Sequence, residues 1–453
     1  MKNITAAAAA EICGGRLYGP DPGERELGPV VIDSRQVSGG ELFVAYKGER
    51  ADGHDYIKTA LEKGAACCLA ERVPQGVSGG LILVDEVQTA LETLIAAYRA
   101  SLSLPVIGVT GSVGKTTAKE MIWSVLSQRL NTLKNEGNLN NRIGVPMTIS
   151  RIGPEHEAAV VEMGISGFGE MTALTKMAMP DIAVYTVIGH AHLEFLHDLE
   201  GVLRAKTEML ELMDARGTVI VNGDDALLRA LHCRQHKLSY GLDPGCDVRA
   251  EKLRVVPECG TACDIVFGGR RVHADIPAYG RHMIYAALEG AATGFVMGLS
   301  DEEIERGIAA YETVGRRGVV TRTGYITLVD DSYNANPDSM KSAIDSLREL
   351  PGRHVCILSD MLEMGEDTLS MHYEVGRYAT ELGIAPVIAC GPLGREIARG
   401  AGEAGIYFET AEEAAEALPG LIRRGDAVLV KASRGMRLEK LAERLKRLGE
   451  DEG

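Results

Sequence analysis

The segment that most constrains the fold is residues 106–117, which read VIGVTGSVGKTT. A run of β-branched residues leads into a turn with two glycines, and the apolar periodicity of a helix follows. Gly111 and Gly114 let the backbone fold tightly and direct its N–H groups at one spot. Lys115 adds a positive charge there, and Thr116 adds a hydroxyl suited to Mg²⁺. This order of elements predicts a phosphate-binding loop rather than an ordinary turn.

The loop departs from the strict nucleotide-binding pattern at Val109, where the first glycine is expected. Its Gly-Lys-Thr core still follows a strand and precedes an amphipathic helix, so we expect it to bind a nucleoside triphosphate. The loop residues expected to contact that nucleotide are Thr110, Gly111, Ser112, Val113, Gly114, Lys115, Thr116 and Thr117. A phosphate loop by itself does not define a reaction.

Composition limits the class of protein. A chain of 453 residues predicts about three domains. Its 45% hydrophobic and 25% charged residues are typical of a globular enzyme, and no apolar run is long enough to span a bilayer. The net charge of −16 disfavours general binding to nucleic acid or to anionic membranes.

The distribution of cysteines indicates the redox state of the cellular compartment. Nine cysteines lie scattered without a paired framework. Cys259 and Cys263 lie near Cys233 and His236, but the spacing matches no zinc pattern, so we expect buried free thiols. That usage fits a reducing cytoplasm.

The pattern along the chain predicts an α/β protein with domains at residues 1–103, 104–314 and 315–453. The first is a smaller α/β domain. In the middle domain, Val/Ile runs alternate with helices, which predicts a parallel sheet covered on both faces. The last domain repeats this pattern, which predicts a Rossmann-like, doubly wound sheet. Predicted strands are 106–110, 158–163, 181–187, 218–222, 325–330, 354–359, 386–390 and 427–431, and 246–276 is expected to be a small antiparallel insert.

Charged residues near the phosphate loop are candidates for chemistry. Glu162 ends an apolar strand, and because an acid there needs a partner, we favour a role in holding Mg²⁺ over a solvated strand end. Lys206 lies on a helix expected over 201–213 and, by pattern alone, would be a surface lysine. A dense cluster after strand 181–187 indicates a site, with His192 as the preferred member. The cluster is His190, His192, Glu194 and His197.

Polar loops supply further candidates. The asparagine-rich loop 135–146 could line a nucleotide or sugar site. Loops 33–35 and 48–55 bracket a buried strand and are equally consistent with anion binding and with ordinary turns. The candidate substrate-binding residues of these loops are Ser34, Arg35, Asn138 and Asn141.

Three polar strand ends occur in the last domain, at 330–337, 359–365 and 431–436. Ligands of open α/β sheets bind beyond the carboxyl ends of the strands, so three such ends favour a substrate face. The residues expected to meet nucleotide or acceptor there are Asp331, Asn334 and Asn336.

Four motifs resemble, in the same order, those of the Mur ligase family. They are TGSVGKTT at 110–117, VEMG at 161–164, AHLE at 191–194 and DSYNANP at 331–337. The last resembles the branch that adds D-alanyl-D-alanine rather than the family at large. Residues 33–35, 42–45 and 138–146 agree with it, so the resemblance covers essentially the whole chain.

The resemblance implies an ATP-dependent ligase whose first domain binds a UDP-N-acetylmuramoyl-tripeptide. The central domain would use ATP, and the last would receive D-alanyl-D-alanine. The tripeptide carboxylate would attack the γ-phosphate, and the dipeptide amine would then attack the resulting acyl phosphate. Domain closure would exclude water from that intermediate. A monomeric cytoplasmic enzyme is expected.

The resemblance also assigns roles. Lys115 would contact the β- and γ-phosphates, and Thr116 and Glu162 would hold one Mg²⁺. His192 and Lys206 would hold a second, because segment 205–208 resembles the motif whose lysine is carbamylated into an anionic oxygen ligand.

Two features of the nucleotide site fall outside those motifs. The family often has asparagines near adenine where this chain has Met283 and Ala286, although Arg281 and His282 remain. Arg316, in the hinge, would reach the nucleotide on closure.

Alternative functions remain open at this stage. A ligase adding a single amino acid, or glutamate to a folate, would keep the fold and change the substrate. A nucleotide-switched binding protein or a P-loop kinase would keep only the loop. Residues 331–337 argue against the first group, and the combination of Glu162, His192 and Lys206 argues against a switch.

Overall fold

Three β-sheets follow one another along the chain in a computed structural model that describes residues 1–19, 23–48, 51–256 and 260–448. The strands are mostly parallel and buried, and helices cover them, as expected of Val/Ile-rich runs. The predicted three-domain α/β class is confirmed. Its boundaries stay a prediction, and Cys259 and residues 49–50 of the loop 48–55 lie outside the described residues.

The first sheet has the order β1-β5-β4-β3-β2, with only β1 antiparallel to its neighbour. Helix α1 begins after Thr5, whose hydroxyl accepts a hydrogen bond from the backbone N–H of Ala8. The strands are β1 Arg16–Tyr18, β2 Val30–Val31, β3 Leu42–Val44, β4 Cys67–Ala70 and β5 Leu81–Leu83. The helices are α1 Ala6–Ile12, α2 Ile57–Glu62 and α3 Val87–Ala100, with a 3-10 turn at Gly53–Tyr56.

The second sheet has nine strands in the order β14-β13-β12-β11-β10-β9-β6-β8-β7. Its strands are β6 Val106–Thr110, β7 Thr132–Lys134, β8 Ala158–Glu162, β9 Ile182–Tyr185, β10 Thr218–Asn222, β11 His236–Gly241, β12 Val248–Val256, β13 Gly260–Phe267 and β14 Arg270–Ile276. Its helices are α4 Lys115–Leu126, α5 Gly144–Ile149, α6 Glu170–Ala178, α7 Leu193–Leu196, α8 Leu199–Leu212, α9 Ala226–Ala230, α10 Arg281–Val296 and α11 Asp301–Ala309. The parallel strands β6, β8 and β9 end at one edge, which places Thr110 and Glu162 together.

The third sheet has the order β15-β16-β20-β17-β18-β19, with only β15 antiparallel. Its strands are β15 Val319–Arg322, β16 Thr327–Asp331, β17 His354–Ser359, β18 Val387–Cys390, β19 Gly405–Phe408 and β20 Ala427–Lys431. Its helices are α12 Pro337–Leu347, α13 Thr368–Glu381, α14 Gly394–Ala401, α15 Ala411–Leu421 and α16 Glu439–Lys446, with 3-10 turns at Gly365–Asp367, Gly402–Ala404 and Arg434–Met436.

Most predicted strands have the expected positions, and β6 and β10 match their predicted bounds. The antiparallel stretch predicted over 246–276 is confirmed as β12, β13 and β14. It extends the main sheet rather than forming a separate insert, because β12 pairs in parallel with β11. In the second and third sheets β7, β11, β15 and β19 were not predicted, since many of their side chains are only half-buried.

The first two units share one continuous hydrophobic core, because α3 packs against α5 and α6 across the predicted boundary. The buried guanidinium of Arg99 donates from Nε to the backbone oxygen of Ala178 at 2.8 Å and from Nη2 to that of Met179 at 3.0 Å. The backbone N–H of Val30 donates to Ser150 Oγ at 2.9 Å. The third unit instead has two cores of its own, one on each face of its sheet.

Candidate active site

The phosphate loop lies where β6 ends and α4 begins, at the carboxyl edge of the central sheet. Gly111 and Gly114 have φ angles of +150° and +85°, conformations that L side chains rarely adopt. A Cβ atom on Gly111 would lie 1.9 Å from the hydroxyl oxygen of Thr186, so that position also has no space for a side chain. The N-terminus of α4 follows directly, which favours an anion at the loop.

Lys115 presents a half-buried ammonium to this loop. Its Nζ donates to the backbone oxygens of Gly111, at 2.8 Å, and Ser112, at 3.3 Å, and it forms no ion pair within the described residues. Burial lowers the pKa of Lys115, the carboxylate of Glu162 partly opposes this, and the nearby guanidinium of Arg317 adds to it. An ammonium held only by neutral carbonyls is arranged to receive an anion such as a phosphate.

Glu162 connects the phosphate loop to the asparagine-rich loop. Its Oε2 accepts a hydrogen bond from the hydroxyl of Thr116 at 2.8 Å, and its Oε1 accepts one from the amide of Asn140 at 2.7 Å. Lys119 Nζ lies 4.0 Å from Oε2. Asn135 fixes the strand end, because its Oδ1 accepts the backbone N–H of Glu162 at 2.9 Å. A threonine hydroxyl beside a carboxylate provides the hard oxygen ligands that Mg²⁺ prefers.

His192 lies at the junction with the third unit. Its backbone is left-handed, with φ of +54°, and its Nδ1 lies 2.6 Å from Oε2 of Glu363. Burial lowers the pKa of His192, and the Glu363 carboxylate opposes that effect. A carboxylate on Nδ1 fixes the ring so that Nε2 remains for a ligand.

Lys206, on α8, is not a surface lysine, since only 1% of it is exposed. Among the described residues its ammonium has neither a hydrogen bond nor an ion pair. Burial, with a further contribution from the charge of Lys115, lowers the pKa of Lys206 well below its usual value. The charges of Lys115 and Lys206 also lower the pKa of His192, so these three residues form one electrostatic cluster.

The described residues contain no group of three or more His, Cys, Asp or Glu side chains able to hold a metal ion. The oxygen donors at the loop are the side chains of Thr116 and Glu162. Mg²⁺ is commonly held in this way, by one or two protein oxygens together with substrate phosphates and waters. This donor set therefore fits a nucleotide-bound Mg²⁺ rather than a metal caged by protein alone.

Polar residues at the strand ends of the third unit form hydrogen bonds and ion pairs within that unit. Asp331 pairs with Lys431, whose Nζ lies 2.6 Å from Oδ2 and also donates to the backbone oxygen of Asn334. Asn336 caps α12, because its Oδ1 accepts the backbone N–H of Ser339 at 2.8 Å. Of the three expected contact residues, Asn334 alone has an exposed side chain without a hydrogen bond among the described residues.

The two hinge arginines point to different partners. Arg316 pairs within its own unit, with Asp330 at 3.3 Å and Glu443 at 3.4 Å. Arg317 stacks 3.7 Å from the ring centre of Tyr333, and its charge acts on Lys115. In this arrangement Arg317 is thus the hinge arginine that influences the phosphate loop.

His282 begins α10 and contacts the third unit through Ser346 Oγ, 3.4 Å from its Nδ1. Burial lowers the pKa of His282. Met283 and Ala286 are 3% and 2% exposed and pack in the hydrophobic core. Those two positions therefore do not present a side chain to a ligand.

The candidate substrate residues outside the third unit lie in separate loops. Ser34 is buried, and the guanidinium of Arg35 is exposed and pairs with Asp33 at 2.7 Å. Asn138 is exposed, and Asn141 accepts backbone N–H groups of its own loop. The structure does not connect any of them to the phosphate loop, and their roles stay predictions.

Three residues of the site were missed individually from the sequence, although each lies in a segment that was singled out. Asn140 belongs to the asparagine-rich loop, and Glu363 belongs to the polar strand end 359–365. Arg317 directly follows Arg316, the residue predicted in the hinge. Composition identified these segments, but which side chain reaches the site depends on how the units pack.

These features define a P-loop nucleotide-binding protein built of three α/β units. Three family models match the chain: "Mur ligase family, catalytic domain" at residues 28–100, "Mur ligase middle domain" at 109–294 and "Mur ligase, glutamate ligase domain" at 315–434. The chain belongs to the Mur ligase family.

Relatives match over nearly their full length. The chain is 35% identical to the UDP-N-acetylmuramoyl-tripeptide–D-alanyl-D-alanine ligase of Bacillus subtilis, covering 98% of each, and 34% identical to that of Escherichia coli, covering 99% and 100%. The structure of the MurF ligase from Thermotoga maritima in complex with ADP matches with a TM-score of 0.84 and 28% identity, covering 94% of this chain and 99% of that one. Within the described residues, no helix is both long and apolar enough to cross a membrane.

Proposed function

We propose that this protein is an ATP-dependent ligase that joins D-alanyl-D-alanine to a UDP-N-acetylmuramoyl-tripeptide in peptidoglycan synthesis. Relatives bearing that name align with almost the entire chain. The observation that carries the proposal is a pair of lysines, half-buried Lys115 and buried Lys206, neither of which forms an ion pair within the described residues. Such a site is suited to substrates that bring several negative charges, as a nucleotide and a carboxylate do.

The residues present fit a nucleotide with Mg²⁺. Lys115 and the loop glycines would hold the β- and γ-phosphates, and Thr116 and Glu162 would hold Mg²⁺. His192 and a carbamylated Lys206 would hold a second ion, since an unpaired buried amine with a lowered pKa is the form of lysine that reacts with carbon dioxide. Bound Mg²⁺ would neutralise charge that develops on the phosphoryl oxygens.

The reaction then has two steps. A carboxylate oxygen of the tripeptide attacks the γ-phosphorus, ADP leaves, and an acyl phosphate forms. The dipeptide amine attacks the acyl carbon, the new C–N bond forms, and phosphate leaves with the C–O bond electrons while the amine loses a proton. Lys115 stabilises the charge in the first step. The contact between His192 and Glu363 places the third unit beside the site, and closure of that unit would limit entry of water.

The domain assignment is part of the proposal. Residues 1–103 would bind the UDP-muramoyl peptide, 104–314 would bind ATP, and 315–453 would bind the dipeptide. The roles of Ser34, Arg35, Asn138 and Asn141 toward the first substrate belong here too. The cytoplasmic location and the monomeric state also stay predictions.

The test is phosphate release from ATP with Mg²⁺, UDP-N-acetylmuramoyl-tripeptide and D-alanyl-D-alanine, omitting one component at a time. We expect release to require all of them and to yield a product heavier by the dipeptide. Lys115→Ala should abolish turnover with an unchanged circular dichroism spectrum. Release without the dipeptide, or with a single amino acid in its place, would contradict the proposal.

A further inference from the structure

A cavity of about 200 Å³ lies between the central and third units, next to the phosphate loop. On the central side it is lined by His190. On the other side α12 contributes Asp338 and Lys341, and α13 contributes Met371. Its volume lies below the ~300 Å³ at which pockets for drug-sized ligands begin, so it suits a small molecule rather than a nucleotide.

The cavity is connected to the phosphate loop by a short chain of hydrogen bonds. Ser112 Oγ donates to the backbone oxygen of Gly189 and accepts its N–H, both at 2.9 Å. The next residue, His190, donates its backbone N–H to Asp338 Oδ2 at 2.8 Å, and its Nδ1 lies 3.1 Å from the same oxygen. A Cβ on Gly189 would lie 2.4 Å from that oxygen, so the glycine makes this approach possible. In this arrangement Asp338 is therefore held close to the phosphate loop.

The lining carries one carboxylate oxygen and one ammonium that make no hydrogen bond within the described residues. Asp338 Oδ1 is that oxygen, whereas Oδ2 has two hydrogen bonds. Lys341 forms no ion pair there, and its Nζ lies 5.6 Å from the ring centre of Tyr378. Glu374 pairs with Arg377, and the charge of Lys341 also acts on Glu374 and lowers its pKa.

The spacing of these two charges matches a zwitterionic dipeptide. Asp338 and Lys341 lie three residues apart on α12, so their Cβ atoms are ~5–6 Å apart on one face. An extended dipeptide spans at most ~7 Å, so the carboxylate of one residue can reach its ammonium while the long side chain of the other reaches its carboxylate. Pro337 and Met371 supply apolar surface for two methyl groups.

We propose that this cavity is the acceptor site, in which Asp338 binds the ammonium of the dipeptide and Lys341 binds its terminal carboxylate. This inference rests on the proposed function. It replaces Asp331 and Asn336 as acceptor contacts, because those side chains already serve Lys431 and the cap of α12. The amine would then lie on the side of the cavity nearer the phosphate loop.

The test compares Lys341→Gln with Lys440→Gln, an exposed lysine on α16 that serves as the matched control. Loss of one charge-assisted hydrogen bond should raise KM for D-alanyl-D-alanine in Lys341→Gln about tenfold or more, with KM for ATP and for the tripeptide unchanged. The control should behave like the wild type.

A second readout separates recognition from a structural effect. The wild type should use D-alanyl-D-alanine in clear preference to its C-terminal amide, and Lys341→Gln should lose most of that preference. An unchanged KM and an intact preference in Lys341→Gln, with a dipeptide-dependent wild type, would overturn the acceptor site alone. A wild type indifferent to the dipeptide would instead contradict the proposed function, and the acceptor site with it.

Discussion

Two lysine side chains, Lys115 and Lys206, determine the electrostatics of the candidate site. Lys206 is buried, Lys115 is half-buried, and the charge of Lys115 disfavours that of Lys206. Two neighbouring cations without ion pairs persist in a folded protein only at a cost, which bound anions would relieve. Lys115 keeps its charge for phosphate in our proposal, whereas Lys206 loses its charge by carbamylation. The difference follows from surroundings, since Lys115 has backbone carbonyls and the carboxylate of Glu162 nearby and Lys206 has neither.

At this scale we predict that Lys206→Ala lowers kcat about 100-fold or more, because the second metal loses an anionic ligand. Lys206→Arg should not restore activity, since a guanidinium cannot be carbamylated into that ligand. Short carboxylic acids added to Lys206→Ala should partly restore phosphate release by supplying the missing oxygens. Rescue that is equally strong in the wild type, or an active Lys206→Arg enzyme, would rule out carbamylation.

The helices and strands around the site show why part of it could be predicted from the sequence. The phosphate loop is a local pattern of strand, glycines and helix, and β6 and α4 form it as expected. Asn336 was expected to contact a ligand, but a capping role depends only on its position before Pro337. Lys206 gave no local signal, because its burial arises from the packing of α8 on the central sheet. The pairing of His192 with Glu363 joins residues 171 apart and required the tertiary structure.

The loop itself provides a prediction at the scale of the element. Gly111→Ala places a Cβ against the Thr186 hydroxyl in a strained backbone region, so it should weaken ATP binding and reduce stability by ~1–3 kcal/mol. Gly420→Ala, on α15, meets no atom within 4 Å and is the control. Isothermal titration with ATP and urea unfolding would measure both effects. Wild-type affinity in Gly111→Ala would show that the loop adopts another conformation.

The three units of the molecule are not equally coupled to one another. The first two units share a core, and the contacts of the third with them include the polar pairs His190 with Asp338 and His192 with Glu363. Both pairs are partly exposed, so each contributes little to stability and can open at low cost. Hinge closure between such bodies is expected where a site must admit three substrates and then exclude water.

Substitution of Arg99 tests whether the first two units unfold together. Arg99 belongs to α3 of the first unit and donates hydrogen bonds to the backbone where α6 of the second unit ends. Removing its guanidinium in Arg99→Met leaves buried carbonyl oxygens without donors, which should cost ~1–3 kcal/mol. Hydrogen exchange should then accelerate throughout residues 1–314 but not in 315–448, since the first two units unfold as one. Arg216→Met is the control and should leave exchange unchanged, because the Arg216 side chain is 91% exposed and, among the described residues, pairs only with Asp214. Acceleration confined to the first hundred residues would mean that the shared core does not couple the two units.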